Sequence, residues 1–171
     1  PCRLCNRNDE SIDHILSGCP ELAKTEYIKR HNNAAAYMHW KILKHYNIKA
    51  NDKWYEHQPE TVKEKEKVTI LWDMQVHTDK TIKANKPDFI IKDKQEKTCM
   101  LIDMTILFDR NTSVKVAETL SKYKNLEIEI TKMWRLKTIT VPVVIGALGV
   151  VRKGIEKYIH KIRGKINVIE L

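Results

Sequence analysis

The spacing of apolar residues changes near residue 68, and that change limits the chain to a fold with both helices and a sheet. From Pro20 to about Tyr46, residues such as Leu22, Tyr27, Ala35, Met38, Ile42 and Tyr46 recur three and four apart, as on one face of a helix. Pro20 suits a first helical turn, where a missing N–H costs nothing, and the polar patch Arg30-His31-Asn32-Asn33 marks an expected kink between two helices. Asn47 to Lys67 is polar and reads as a loop with a helical turn at Glu60–Glu66. Strand-like runs follow at Val68–Val76, Phe89–Ile91 and Thr98–Phe108, with Lys92–Lys97 as a short polar connection suited to a hairpin. A helix is expected from near Val114, capped by Asn111, Thr112 or Ser113, with Val116, Leu120, Tyr123, Ile130 and Trp134 on one face. Thr138–Ala147 reads as a strand, and Val151–Ile162 as a last amphipathic helix. The expected fold class is α/β, a mixed sheet flanked by helices. Residues 1–20 form a separate small module in front of one domain at 21–171.

A chain of 171 residues buries enough surface for such a domain and an appendage. Its most apolar stretch, Val141–Val151, falls short of the roughly 20 residues that span a bilayer, so no membrane is expected as a partner. The chain begins at Pro1 with no basic and apolar leader, and reads as a segment of a longer protein. The net charge of +9 is spread along the sequence. An excess of this kind favours polyanions through counterion release, although a merely solvated basic surface fits it equally well.

Three of the four cysteines crowd the first nineteen residues. Cys2, Cys5, His14 and Cys19 read C-x2-C-x8-H-x4-C. A close cysteine pair on a knuckle, joined by a second pair from the next turn, supplies the four N and S ligands of a structural zinc. Such spacing points to a metal in a reducing compartment and away from a disulfide framework. Arg3, Arg7, Lys24, Lys29 and Arg30 make the region either a nucleic-acid contact or only a clasp on the domain. Cys99, alone in an apolar run, reads as a buried small residue.

The sharpest chemistry lies between Lys86 and Thr105. Lys86-Pro87-Asp88 opens one strand, fourteen residues follow, and Asp103 lies inside the next apolar run. Alternation puts Asp103 and Thr105 on the face of Cys99 and Leu101, where an unpaired carboxylate is expensive. A hairpin would bring Asp88 and Asp103 side by side, a pair of oxygen ligands that suits Mg²⁺. The other reading makes Asp88 the start of a strand after a proline turn and Asp103 a hydrogen-bond hub.

In this order the motifs resemble the PD-(D/E)XK nucleases. More closely, they resemble the restriction-like endonuclease region of site-specific non-LTR retrotransposon polyproteins. There a C-C-H-C zinc motif precedes an Arg-His-Asn helix, then K/R-P-D, a spacer of twelve to fourteen residues and an acid. This chain offers Cys2, Cys5, His14 and Cys19, then Arg30-His31-Asn32, Lys86-Pro87-Asp88 and Asp103. The resemblance covers essentially the whole chain and implies a restriction-endonuclease-like sheet behind the zinc module. It implies a Mg²⁺-dependent endonuclease that nicks target DNA in the nucleus to prime reverse transcription of the element. Element RNA would be a partner through the parent polyprotein.

By the resemblance, Asp88 and Asp103 hold Mg²⁺, Arg30, His31, Asn32 and Lys86 contact nucleic acid, and Zn²⁺ occupies the Cys/His set. The superfamily's usual lysine position, two residues after the second acid, is Thr105 here. The retrotransposon enzymes resemble this chain in lacking it and take a lysine from the next helix beside a tyrosine, which Lys122-Tyr123 matches. Tyr123 would support that lysine or the DNA strand. Lys115 shares a flank with Lys122 and Lys124 lies on the opposite one. Ala34–Tyr46 carries no Asp or Glu to match the acid often found on the superfamily's first helix. The alternative is a non-catalytic nucleic-acid-binding zinc module of a retrotransposon-derived protein. His39, Trp40, His45 and Tyr46 read as core or half-buried more readily than as base-stacking groups, Trp54 and Tyr55 as a loop anchor, and Asp73 and Asp109 as surface residues.

Overall fold

A computed structural model of the protein describes residues 1–107 and 112–146. Strands β1 (Val62–Lys65), β2 (Val68–Trp72), β3 (Phe89–Asp93) and β4 (Thr98–Leu107) run antiparallel in succession. β5 (Lys137–Gly146) lies parallel to β4 and completes a five-stranded sheet in the order β1-β2-β3-β4-β5. A parallel neighbour needs a crossover, which helices α3 (Thr112–Lys122) and α4 (Lys124–Trp134) provide. Before the sheet come α1 (Pro20–Leu22), a wider π-helical stretch at Ala23–Tyr27, and α2 (Ile28–His45).

Side-chain alternation divides the core between the two sheet faces. Phe89, Ile91, Ile102 and Val141 pack against Ala35, Met38 and Ile42 of α2. On the other face Ile90, Cys99 and Leu101 meet Tyr123, Leu126 and Ile130 from the crossover. Fully burying a Leu or Ile side chain contributes about 1.5–3 kcal/mol, so these two layers hold the sheet between its helices. Cys99 and Leu101 belong to the crossover face, and by alternation so does Asp103.

Several elements differ from the sequence-based expectation. Glu60–Glu66 forms no helical turn. Val62–Lys65 is a strand, paired to β2 across a tight connection in which Glu66 takes φ 53°. Four strands therefore precede the crossover, not three. β2 ends at Trp72 because Asp73 turns to φ 49°, so Val76 lies in the following loop. No break occurs at Arg30–Asn33, where α2 runs through; the irregular winding is upstream, at Ala23–Tyr27. The crossover is two helices divided at Tyr123. The helix expected at Val151–Ile162, together with Asn111 and Asp109, lies outside the described residues.

The loop after α2 is pinned in several places. The Trp40 indole N–H donates to the Asn51 carbonyl at 2.6 Å, and the Asn51 amide donates to the Glu56 carbonyl at 2.7 Å. Trp54, in a short 3-10 turn, meets Tyr37 edge-on at 5.4 Å. His57 reaches His39 through a 2.7 Å Nε2 to Nδ1 contact, with both rings buried beside Trp72. Burial pushes both imidazoles toward the neutral form, His39 down to about 3. His39 is core and Trp40 half-buried, as expected, while His45 is exposed. No helix among the described residues is long and apolar enough to cross a membrane.

Candidate functional site

The N-terminal ligand set is built by turns too short to have a core of their own. Asn6, at φ 53°, closes the knuckle: its N–H donates to the Cys2 carbonyl at 2.8 Å, while the Cys2 N–H donates to Asn8 at 2.6 Å. Glu10 clasps Arg3 through its backbone N–H and its guanidinium. A π-helical turn at His14–Gly18 then presents the imidazole. A Cβ on Gly18 would stand 3.3 Å from His14 Nδ1, closer than most side-chain packing allows, so a glycine there lets the ring lie flat on the turn. Cys2 and Cys19 are buried and Cys5 is half-buried. Backbone N–H donation, chiefly from Arg7, holds the Cys5 thiol down to about 6.

One ligand atom from each of Cys2, Cys5, His14 and Cys19 lies within 4.8 Å of all the others. With Zn–S near 2.3 Å and Zn–N near 2.0 Å, the corners of a tetrahedron are about 3.5–3.8 Å apart, so this cluster can close on a zinc ion. Three thiolates and an imidazole are also the donor chemistry zinc prefers. Zinc should therefore co-purify at about one equivalent, and His14→Ala should weaken its retention and speed proteolysis within residues 1–20. Elemental analysis that finds no zinc in protein purified without chelator would sink the assignment. Cys99 lies elsewhere, in the core, where burial pushes its thiol up to about 12.

The second cluster lies at the end of the β3–β4 hairpin. The register that pairs Phe89 with Ile102 places Asp88 opposite Asp103. Asp88 Oδ2 accepts the Met104 backbone N–H at 2.6 Å, which ties the acid to the neighbouring strand. It also accepts from His31 Nε2 at 3.3 Å, and the same nitrogen lies 3.1 Å from the Met104 carbonyl. Paired chiefly with Asp88, His31 is raised to about 9 and is an imidazolium at neutral pH. Its Nδ1 then donates to Asn32 Oδ1 at 3.3 Å.

Asp103 is more enclosed, with 15 % of its side chain exposed. The buried Tyr123 hydroxyl donates to its Oδ1 at 2.9 Å, and Lys122 Nζ stands 3.9 Å from Oδ2. Burial raises the Asp103 pKa, and the nearby Asp88 charge adds to the rise. The Lys122 ammonium lies 4.7 Å from the centre of the Tyr123 ring. Tyr123, only 1 % exposed, thus orients Asp103 and backs Lys122 without offering a surface to a strand. Its own pKa is raised by burial.

Asp88, Asp103, Lys122, Tyr123, His31 and Lys86 line one cleft of about 410 Å³. Lys115 and Thr105 border it too, with Lys115 paired to Glu118 at 3.7 Å. Lys124 pairs with Glu127 instead. Lys86 reaches Asp73 at 3.3 Å, so Asp73 is an exposed partner of a cleft lysine. Arg30 and Asn32 are exposed, Arg30 away from the cleft lining and Asn32 on the rim of a neighbouring pocket. The sequence singled out His31 only through the Arg30-His31-Asn32 motif, as a nucleic-acid contact, and carried no sign of its bond to Asp88. Tyr27, one of the residues at helical spacing, borders the same cleft and is 41 % exposed. In comparisons with known proteins, no family model and no curated relative matches the chain.

Proposed function

We propose that the protein is a metal-dependent DNA endonuclease of the restriction-like kind, with Asp88 and Asp103 as ligands of Mg²⁺. The observation that carries the reading is the convergence of two cross-strand carboxylates and the half-exposed Lys122 in one cleft of a basic protein. Oxygen donors from two acids suit magnesium, and Asp103, raised by burial and by Asp88, gains from a cation between them. Magnesium bound there supplies charge neutralisation at the phosphate and an acidified water.

The chain's own groups do the rest. Asp88 and Asp103 would hold the ion, Asp88 oriented by its bond from the Met104 N–H and Asp103 by the Tyr123 hydroxyl. Lys122 can swing from Asp103 to a phosphate oxygen and offset the charge that develops there. His31 holds Asp88 in place on the α2 side of the cleft. Extended by the resemblance in sequence, the reading makes the nick a primer for reverse transcription of a non-LTR element, with target DNA as substrate in the nucleus and element RNA as a further partner.

One observation favours a second reading, a non-catalytic nucleic-acid-binding module. Each acid already has cationic or hydroxyl partners, His31 for Asp88 and Lys122 with Tyr123 for Asp103, so both are satisfied without a metal. Incubation with supercoiled plasmid separates the two. An endonuclease converts it to open circles with Mg²⁺ and stops with EDTA; a protein that binds the plasmid but never nicks it is the binding module.

A further inference from the structure

On the α2 side of the carboxylates a second pocket, of about 700 Å³, opens from the same wall. His31 and Asp88 belong to both pockets, so whatever occupies one is adjacent to whatever occupies the other. Its size lies in the range of small-ligand sites. Three aromatic side chains line it: Trp54, Tyr55 and Trp72. Tyr55 is 64 % exposed and Trp54 39 % exposed, so both present ring surface to the pocket, with Lys53 Nζ 5.8 Å from the Tyr55 ring centre. Between them the amides of Asn32, Asn33 and Gln58 supply both hydrogen-bond donors and acceptors. Asp73 adds an acceptor on the rim, its charge offset by Lys86.

Ring faces with amide groups at their edges match the two surfaces of a nucleobase, its π-face and its pairing edge. In an intact duplex both surfaces are covered, one by stacking and the other by the partner base. Only an unpaired or extruded base can present them together. The pocket is also held in shape before anything binds. The Trp40–Asn51 and Asn51–Glu56 hydrogen bonds fix the loop, and His57 anchors its end to buried His39.

We infer that this pocket receives one unpaired base of the DNA strand whose phosphate lies at Asp88 and Asp103. The inference rests on the endonuclease reading for the position of that phosphate and adds a substrate class to it. The preferred substrate is DNA with an unpaired nucleotide beside the cleaved bond, such as a junction, bulge or mismatch, in preference to uninterrupted duplex. Tyr55, whose ring stands at 84° to that of Trp54, stacks on the base while Trp54 walls it from the side, and Asn33 and Gln58 reach its edge.

The test uses matched oligonucleotide duplexes with and without one unpaired 2-aminopurine, titrated with the full chain in Ca²⁺ and cleaved in Mg²⁺. Binding should quench the fluorescence of the unpaired probe as it stacks. Tyr55→Ala should weaken binding to the unpaired duplex by about five- to a hundredfold, the worth of one stacked base, and Tyr55→Phe should restore it. Because Tyr55 is largely exposed, its loss leaves the fold intact. An RNA strand bound equally well shows that the pocket reads the base and not the sugar, which supports the inference. Equal affinity for paired and unpaired duplexes, with Tyr55→Ala indistinguishable from wild type, overturns it even if both duplexes are cleaved. Quenching that depends on Tyr55 without any cleavage supports the pocket and discards the nuclease.

Discussion

If the proposed endonuclease function holds, Asp103→Ala is expected to bring Mg²⁺-dependent nicking of plasmid below detection while duplex binding is kept or tightened. Asp103 is the acid whose environment most favours a bound cation, since burial and the neighbouring Asp88 charge both raise the cost of its ionised form. Without it, only one of the two proposed carboxylate ligands would remain to hold a metal. Binding should not suffer in the same way, because the substitution removes a negative charge from the cleft proposed to take a phosphate. The variant also leaves the buried Tyr123 hydroxyl without the acceptor it has in the folded protein, at a cost of about 1–3 kcal/mol. Asp103→Asn keeps an acceptor for that hydroxyl and should be equally inactive, which separates loss of chemistry from loss of stability. Nicking at the wild-type rate by either variant sinks the active-site reading and leaves the binding module.

Lys122→Ala is expected to slow nicking by about 10²–10³-fold, the size of effect seen when one preorganised charge-stabilising donor is lost. The side chain is 52 % exposed and 3.9 Å from Asp103, close enough to feel the metal site and free enough to reach a phosphate. Single-turnover rates at saturating Mg²⁺ are the proper readout, because the lysine is not a metal ligand and its loss should leave the metal dependence nearly unchanged. Lys115→Ala is the internal comparison. Lys115 borders the same cleft but is engaged with Glu118, so its removal should matter less. A crippled Lys115→Ala beside an active Lys122→Ala transfers the role to the earlier turn of the helix.

The parts of this fold that were legible in the sequence are those with a strong period of their own. β3 and β4 carry continuous apolar runs joined by a short polar turn, and the alternation that puts Asp103 with Cys99 and Leu101 follows from the strand alone. β1 was not legible. Val62-Lys63-Glu64-Lys65 has a single apolar residue, and it becomes a strand through its pairing with β2 across Glu66. The winding at Ala23–Tyr27 was not legible either, since residues with ordinary helical spacing gave no sign of the wider turn.

At the candidate site, local spacing marked the Cys2, Cys5, His14 and Cys19 cluster and the two acids that the hairpin sets opposite each other. It did not disclose that His31, fifty-seven positions before Asp88, would be its hydrogen-bond partner, because that contact exists only once α2 is packed on the sheet. Nor did it show Trp72 and the Trp54–Tyr55 turn lining one pocket. Those residues come from separate elements, and each one alone is an ordinary aromatic.

A cation carried on a crossover helix has an evolutionary freedom that one on a strand lacks. On β4, moving a lysine by one residue turns it to the opposite face of the sheet. On α3, positions 115 and 122 are seven apart, about two turns, and both border the same cleft. A lineage can therefore gain a lysine at one of these positions before it loses the other, with the cleft served throughout. On the proposed endonuclease function, position 105 is released from that duty, and a threonine there is tolerable because the charge has another route in.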